Sequence, residues 1–245
     1  MSGAEVLIVG AAAAFGAFLT AVAGLGGGIL LLTVMVTVME PGVAIPVHGV
    51  IQLASNGSRT VILRRDVDWP VVGRFAVLLV PAGVLGFLAA DQLPVTAGRI
   101  AIAVLALLIV WWPAALASTT ALLGSGRAAF VPLGGIAGFL NIPFGVTGPA
   151  IAPVFRRHLV ERAAVVATFG AAQTAGHLAK IGVFAGGGFD LAGHLTVSGV
   201  GIGAAIAGTW VGTRALHRID ERTFGHLFRL VLTAVAARVV LSGLW

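Results

Sequence analysis

Gln52, Asn56 and Arg59 stand at i, i+4 and i+7, so a helix would present all three on one face. An offset of 121 residues carries Gln52 onto Gln173, Asn56 onto His177 and Arg59 onto Lys180, so that face occurs twice. Amides, an imidazole and two cations, with no carboxylate among them, are the groups that hold a small anion. A cation or proton relay inside a membrane would use Asp or Glu, yet the chain's 9 acidic residues all fall near segment ends or in loops.

The same offset links two breaks in apolar sequence. Gly138 to Pro149 interrupts one run with Pro143, Gly145, Gly148 and Pro149, and adds the polar Asn141 and Thr147. Phe18 to Gly28 echoes it, pairing Phe18 with Phe139, Gly24 with Gly145 and Gly27 with Gly148. Backbone exposed to lipid has no partner outside its own helix, so unwound stretches are expected only around an enclosed or wet cavity. Half-helices that open after Gly28 and Pro149 would aim free N–H groups and positive dipole ends inward, which suits an anion. Two interrupted segments at matching places in two halves point to a transporter's binding site. Gly24, Gly26, Gly27, Gly28, Gly145, Gly148 and Pro149 are therefore expected as backbone donors and hinges. Gln52, Asn56, Arg59, Asn141, Thr147, Gln173, His177 and Lys180 are expected around the substrate.

The elements that must carry these groups follow from composition. Hydrophobic residues make up 58% of the 245 and charged ones 10%, with 35 glycines. Soluble domains carry about a quarter charged residues, so the chain reads as an all-α, polytopic membrane protein. It has no cysteine, which removes disulfides and thiolate-bound metals. No cofactor motif is present, and no catalytic residue is assigned. The net charge of +6 comes from arginines in short loops, where they orient the chain and meet lipid headgroups rather than nucleic acid.

Apolar segments cover 5–23, 28–39, 44–63, 70–90, 98–116, 128–140, 149–155, 160–185, 191–213 and 222–243. About 20 helical residues span a bilayer, and the pieces beside each break fall short. Each broken pair is thus a re-entrant hairpin or two tilted spans. If it goes in and returns, loops 64–69, 117–127, 156–162 and 214–222 share one side. That side collects Arg64, Arg65, Arg127, Arg156, Arg157, Arg162, Arg214, Arg218 and Arg222, which makes it cytoplasmic. Each half then has an odd number of segments. Residues 1–116 form a first transmembrane repeat, 117–127 a cytoplasmic linker, and 128–245 a second, inverted repeat. Each repeat is a glycine- and proline-broken helical pair plus three spanning helices, with both termini outside.

At about 1.5 Å per residue, Asn56 and His177 lie roughly 12–13 Å from opposite surfaces. Competing readings exist: Arg59 and Lys180 as snorkelling cations, the amides as interhelical glue, and His177 as a packing histidine. Ser55 or Ser58 with His177 as a membrane hydrolase lacks a nucleophile motif.

Gly24-Leu-Gly-Gly-Gly28, the polar helix through Asn56, Arg65-Asp-Val-Asp-Trp69 and the second copy from Gly138 to Pro153 resemble the TauE/SafE family of sulfite-exporter-like membrane proteins. The resemblance covers nearly the whole chain. It implies a transporter of the bacterial inner membrane that exports sulfite, an organosulfonate or a related oxyanion or carboxylate. Alternating access is the expected mechanism, with proton coupling through His177 as an option. An anion channel, or a membrane-embedded enzyme or sensor, remains the alternative. The small residues from Gly199 to Gly212 would suit a homodimer.

Overall fold

Backbone in lipid must satisfy its own hydrogen bonds, and the chain does so with helices. The computed structural model describes residues 1–23, 26–114, 122–124, 126–145, 147–215 and 221–242, all helical or turn with no strand among them. In order come α1 Gly3–Ala23, α2 Gly27–Val38, α3 Pro41–Ile62, α4 Trp69–Asp91 and α5 Val95–Trp111. Then follow α6 Phe130–Phe144, α7 Gly148–His158, α8 Arg162–Gly186, α9 Leu195–Ala215 and α10 Glu221–Ser242. Gly3–Ala21, Trp69–Ala90, Arg127–Phe144 and Ala192–Gly212 are long and apolar enough to cross a membrane by length and composition. They correspond to α1, α4, α6 and α9.

Those four helices pack as two pairs, α4 on α6 and α1 on α9, and glycine sets how closely. Gly134 and Gly138 of α6 lie on the carbonyl oxygens of Phe75 and Leu79, and Gly86 of α4 lies on that of Phe139. Gly208 and Gly212 of α9 lie on the carbonyls of Ala14 and Phe18. In lipid, close backbone approach of this kind replaces the hydrophobic driving force between helices. Residue numbers rise together along both pairs, so each pair is parallel. The more polar α3 and α8 pack against each other between them and run antiparallel. Gly49 meets Lys180, Gly170 meets Arg59, and Thr60 Oγ1 hydrogen-bonds Thr174 Oγ1 at 3.0 Å.

Two ends can be told apart. At one, Arg127 Nη2 donates to Asp68 Oδ2 at 3.0 Å and Asp68 N donates to Thr168 Oγ1 at 2.9 Å. Phe130 also stacks edge-on with His158 there, with ring centroids 5.2 Å apart. This arginine end therefore gathers the end of α3, the starts of α4, α6 and α8, and the end of α7. At the other end, Glu40, Pro94, Pro143 and Gly187 line one cleft, which gathers the ends of α2, α4, α6 and α8. Because α7 returns to the end where α6 begins, the second broken pair goes in and comes back.

Boundaries shift at the breaks. The predicted segments 128–140 and 149–155 become 130–144 and 148–158. Pro143 removes the N–H that would bond the Phe139 carbonyl, and Gly86 of the neighbouring helix lies against that oxygen. The helix therefore continues to Gly145, whose φ of 72° in the left-handed region ends it. Residues 117–121 and 125 of the predicted linker lie outside the described residues, as do 216–220 with Arg218.

Candidate functional site

Two half-helix N-termini converge on one cavity. At the first, Gly26 takes φ 103°, and its carbonyl accepts from the N–H groups of Ile29 and Leu30 at 3.2 and 3.3 Å. Gly27 packs backbone to backbone on Gly16 of α1, and its N–H donates to Thr20 Oγ1 at 3.1 Å. At the second, the Thr147 carbonyl accepts from Ala150 and Ile151. Gly148 and Pro149 then open α7 toward the cavity.

The matched polar face meets these termini. Gln52 of α3 places its amide nitrogen against the Cα of Gly28, and Gln173 of α8 does the same at Gly148. A side chain at either glycine would take the space of the amide. Asn56, Arg59 and His177 also line the cavity, as do Asn141, Thr20, Gly26, Gly28 and Gly145. Asn141 Nδ2 donates to the Gly176 carbonyl at 3.3 Å, tying α6 to α8. Among the described lining residues there is no Asp or Glu. The cavity measures about 50 Å³, room for a few waters or one small polyatomic ion.

Not every expected residue reaches the cavity. Thr147 is buried at the N-cap of α7 and does not line it. Lys180 is fully buried, packs its stem on Gly49, and donates from Nζ to the Gly145 carbonyl at 2.5 Å. Gly24 lies outside the described residues.

Of the lining residues that the sequence reading passed over, Thr20, Ile29 and Phe169 among them, His48 matters most chemically. His48 is 1% exposed, and its Nε2 lies 3.0 Å from the Gly28 carbonyl. Its ring stands edge-on to that of His177, with centroids 5.8 Å apart. The signal was present, because His48 stands four residues before Gln52 on the same face. At the 121-residue offset it falls on Phe169, also a lining residue, so comparing only matched polar positions passed it over.

The lining is asymmetric along its length. On α3 it runs from His48 to Arg59, toward the arginine end, whereas on α8 it runs from Phe169 to His177 and stops short of Lys180. One turn beyond Lys180 and Gly49, Phe184 and Ile45 belong to a separate cleft of about 440 Å³ at the Glu40 end.

Apolar helices enclosing a small, carboxylate-free polar cavity between broken helices are the build of a membrane transporter. The family model described as Sulfite exporter TauE/SafE matches residues 8–239, and the chain belongs to that family. It is accordingly a multi-pass membrane protein of a transporter family of sulfite-exporter type. No curated protein and no solved structure matches it.

Proposed function

We propose that the protein exports a small oxyanion, sulfite foremost, by alternating access, and that the cavity between α2, α3, α7 and α8 is its binding site. One observation carries this reading: two half-helix N-termini meet beside Gln52, Gln173, Asn56 and His177 with no carboxylate among the described lining residues. Backbone N–H groups and positive dipole ends favour negative charge, and the small volume favours sulfite over bulky sulfonates.

Alternating access is supported by the asymmetric lining. The cavity extends toward Arg59 at the arginine end and is stopped by Lys180 and Gly49 before the opposite cleft. An open anion channel has no use for such a plug. The two halves act as inverted repeats in this proposal, because α1 runs away from the Glu40 end while α6, its equivalent by offset, runs toward it. The arginine end faces the cytoplasm of a bacterial inner membrane, with both termini outside. A homodimer would use Gly199 and Gly203 of α9, which meet nothing within the monomer.

The test is sulfite counterflow in proteoliposomes with wild type, Asn56→Ala and His177→Ala. Saturable wild-type exchange, reduced at least about tenfold in both folded variants, is expected for lost contacts to a charged ligand. Exchange that survives both substitutions discards this site. Single-channel conductance in place of saturable counterflow discards alternating access.

A further inference from the structure

We propose that His48 makes the site select a proton-bearing anion, either the singly protonated form of an oxyacid or an anion accompanied by one proton. This rests on the cavity being the anion site.

The chemistry follows from one hydrogen bond. His48 Nε2 lies 3.0 Å from the carbonyl oxygen of Gly28. A carbonyl only accepts, so Nε2 carries the hydrogen. In the neutral ring Nδ1 is then a bare lone pair. That Nδ1 is buried and has no partner among the described residues. The titratable groups facing His48 from the elements packed against it are His177 and Lys180, both on α8. His177 Nδ1 is likewise buried without a partner among the described residues, and no carboxylate among the described lining residues brings a proton.

A fully deprotonated anion offers only lone pairs. Set against a bare Nδ1, it would leave an acceptor facing an acceptor. Two arrangements remove the conflict. An X–OH group of the anion donates to Nδ1, or Nδ1 takes a proton and donates N–H to the anion. In both, one hydrogen lies between His48 and the anion and departs with it, which returns the ring to its starting form. An oxyacid with a second ionisable proton satisfies the first arrangement by itself. A sulfonate, which has no hydroxyl at neutral pH, requires the second.

The position is specific to one half. Phe169, which occupies the equivalent place, has no titratable atom, so α8 carries no counterpart of His48 at that position.

The experiment measures sulfite counterflow from pH 5.5 to 8.5 for wild type and His48→Gln. Glutamine retains an N–H for Gly28 but takes up no proton at these pH values. Wild-type flux is expected to fall about tenfold per pH unit in the alkaline range, following the singly protonated anion, while His48→Gln gives a flatter profile. Identical profiles would overturn the proposal. Calorimetry of wild-type protein in two buffers of different ionisation enthalpy needs no variant. Above neutral pH one proton should enter per sulfite bound, and zero would overturn the proposal. Wild type that moves and binds no sulfite at any pH overturns the proposed function itself, a result distinct from proton-free transport.

Discussion

The two broken helices reach the cavity by different means. In the first, α2 is held by its own neighbour in sequence: Gly27 packs on Gly16 and its N–H bonds Thr20 of α1. In the second, α6 is held from across the site, by Lys180 Nζ on the Gly145 carbonyl and by Asn141 on Gly176, both bonds to α8. At the break itself the first is closed by backbone contact and a threonine hydroxyl, and the second by side chains from across the site, although α6 also packs its backbone on α4 further along. Backbone contact tolerates no added atom, whereas a tether can be released and remade. Under the proposed alternating access, the second break would be the one to move.

The largest expected effect tests the fastening of the first. Gly27→Val would drive a side chain into the Gly16 carbonyl and Thr20 Oγ1, and should cost more than about 4 kcal/mol, seen as loss of monodisperse protein in detergent. Gly148→Ala, its equivalent, meets the Gln173 amide nitrogen at 2.6 Å, the end of a side chain that can turn away. It should fold and weaken sulfite binding about tenfold, roughly the loss of one hydrogen bond to a charged partner. If both variants fail to fold, the contrast between the breaks is wrong.

Next comes the pair of cations. Lys180→Met removes a buried tether and should slow counterflow about ten- to hundredfold, the range for a charged hydrogen bond of about 1.5–3 kcal/mol. Arg59→Met, at the open end of the cavity, should slow it by about threefold, in keeping with a partly solvated charge. Equal losses would mean that the two cations act alike in spite of their settings.

The smallest effects sharpen a likeness rather than a difference. Asp68 caps α4 through Val71 N at 3.2 Å, and Asp190 bonds Ala192 N at 3.0 Å ahead of α9. Asp68→Ala also loses Arg127 and should cost about 1–2 kcal/mol, against about 1 kcal/mol or less for Asp190→Ala. Each kcal/mol would lower the melting temperature by about 2–4 °C.

Much of this was legible in sequence because membrane chains obey few rules strictly. Apolar length and glycine or proline breaks located every described helix to within about five residues, and the repeated polar face led to Gln52, Asn56, Gln173 and His177. What stayed hidden depends on third parties. Pro143 reads as a helix end, yet the helix passes it with Gly86 of another helix lying against the freed carbonyl. Lys180 reads as a cation beside the substrate, and only the position of Gly145 across the fold explains its burial outside the cavity. His48 was obscured by Phe169, since a repeat draws attention to what matches and away from what one copy has alone.

The glycine seams between α1 and α9 and between α4 and α6 also set an order of assembly. Each seam joins a helix of the first half to one of the second. The α1 carbonyls at Ala14 and Phe18 are met by Gly208 and Gly212, roughly 190 residues later. At about 5–20 residues per second of synthesis, α1 waits roughly 10–40 s in the membrane for its partner. During that interval its small-residue groove is open to any other helix inserted nearby. A ribosome that stops after α5 leaves five helices in the bilayer with both seams half-built, so the α9-facing side of the first helix to enter the membrane is among the last surfaces to be covered.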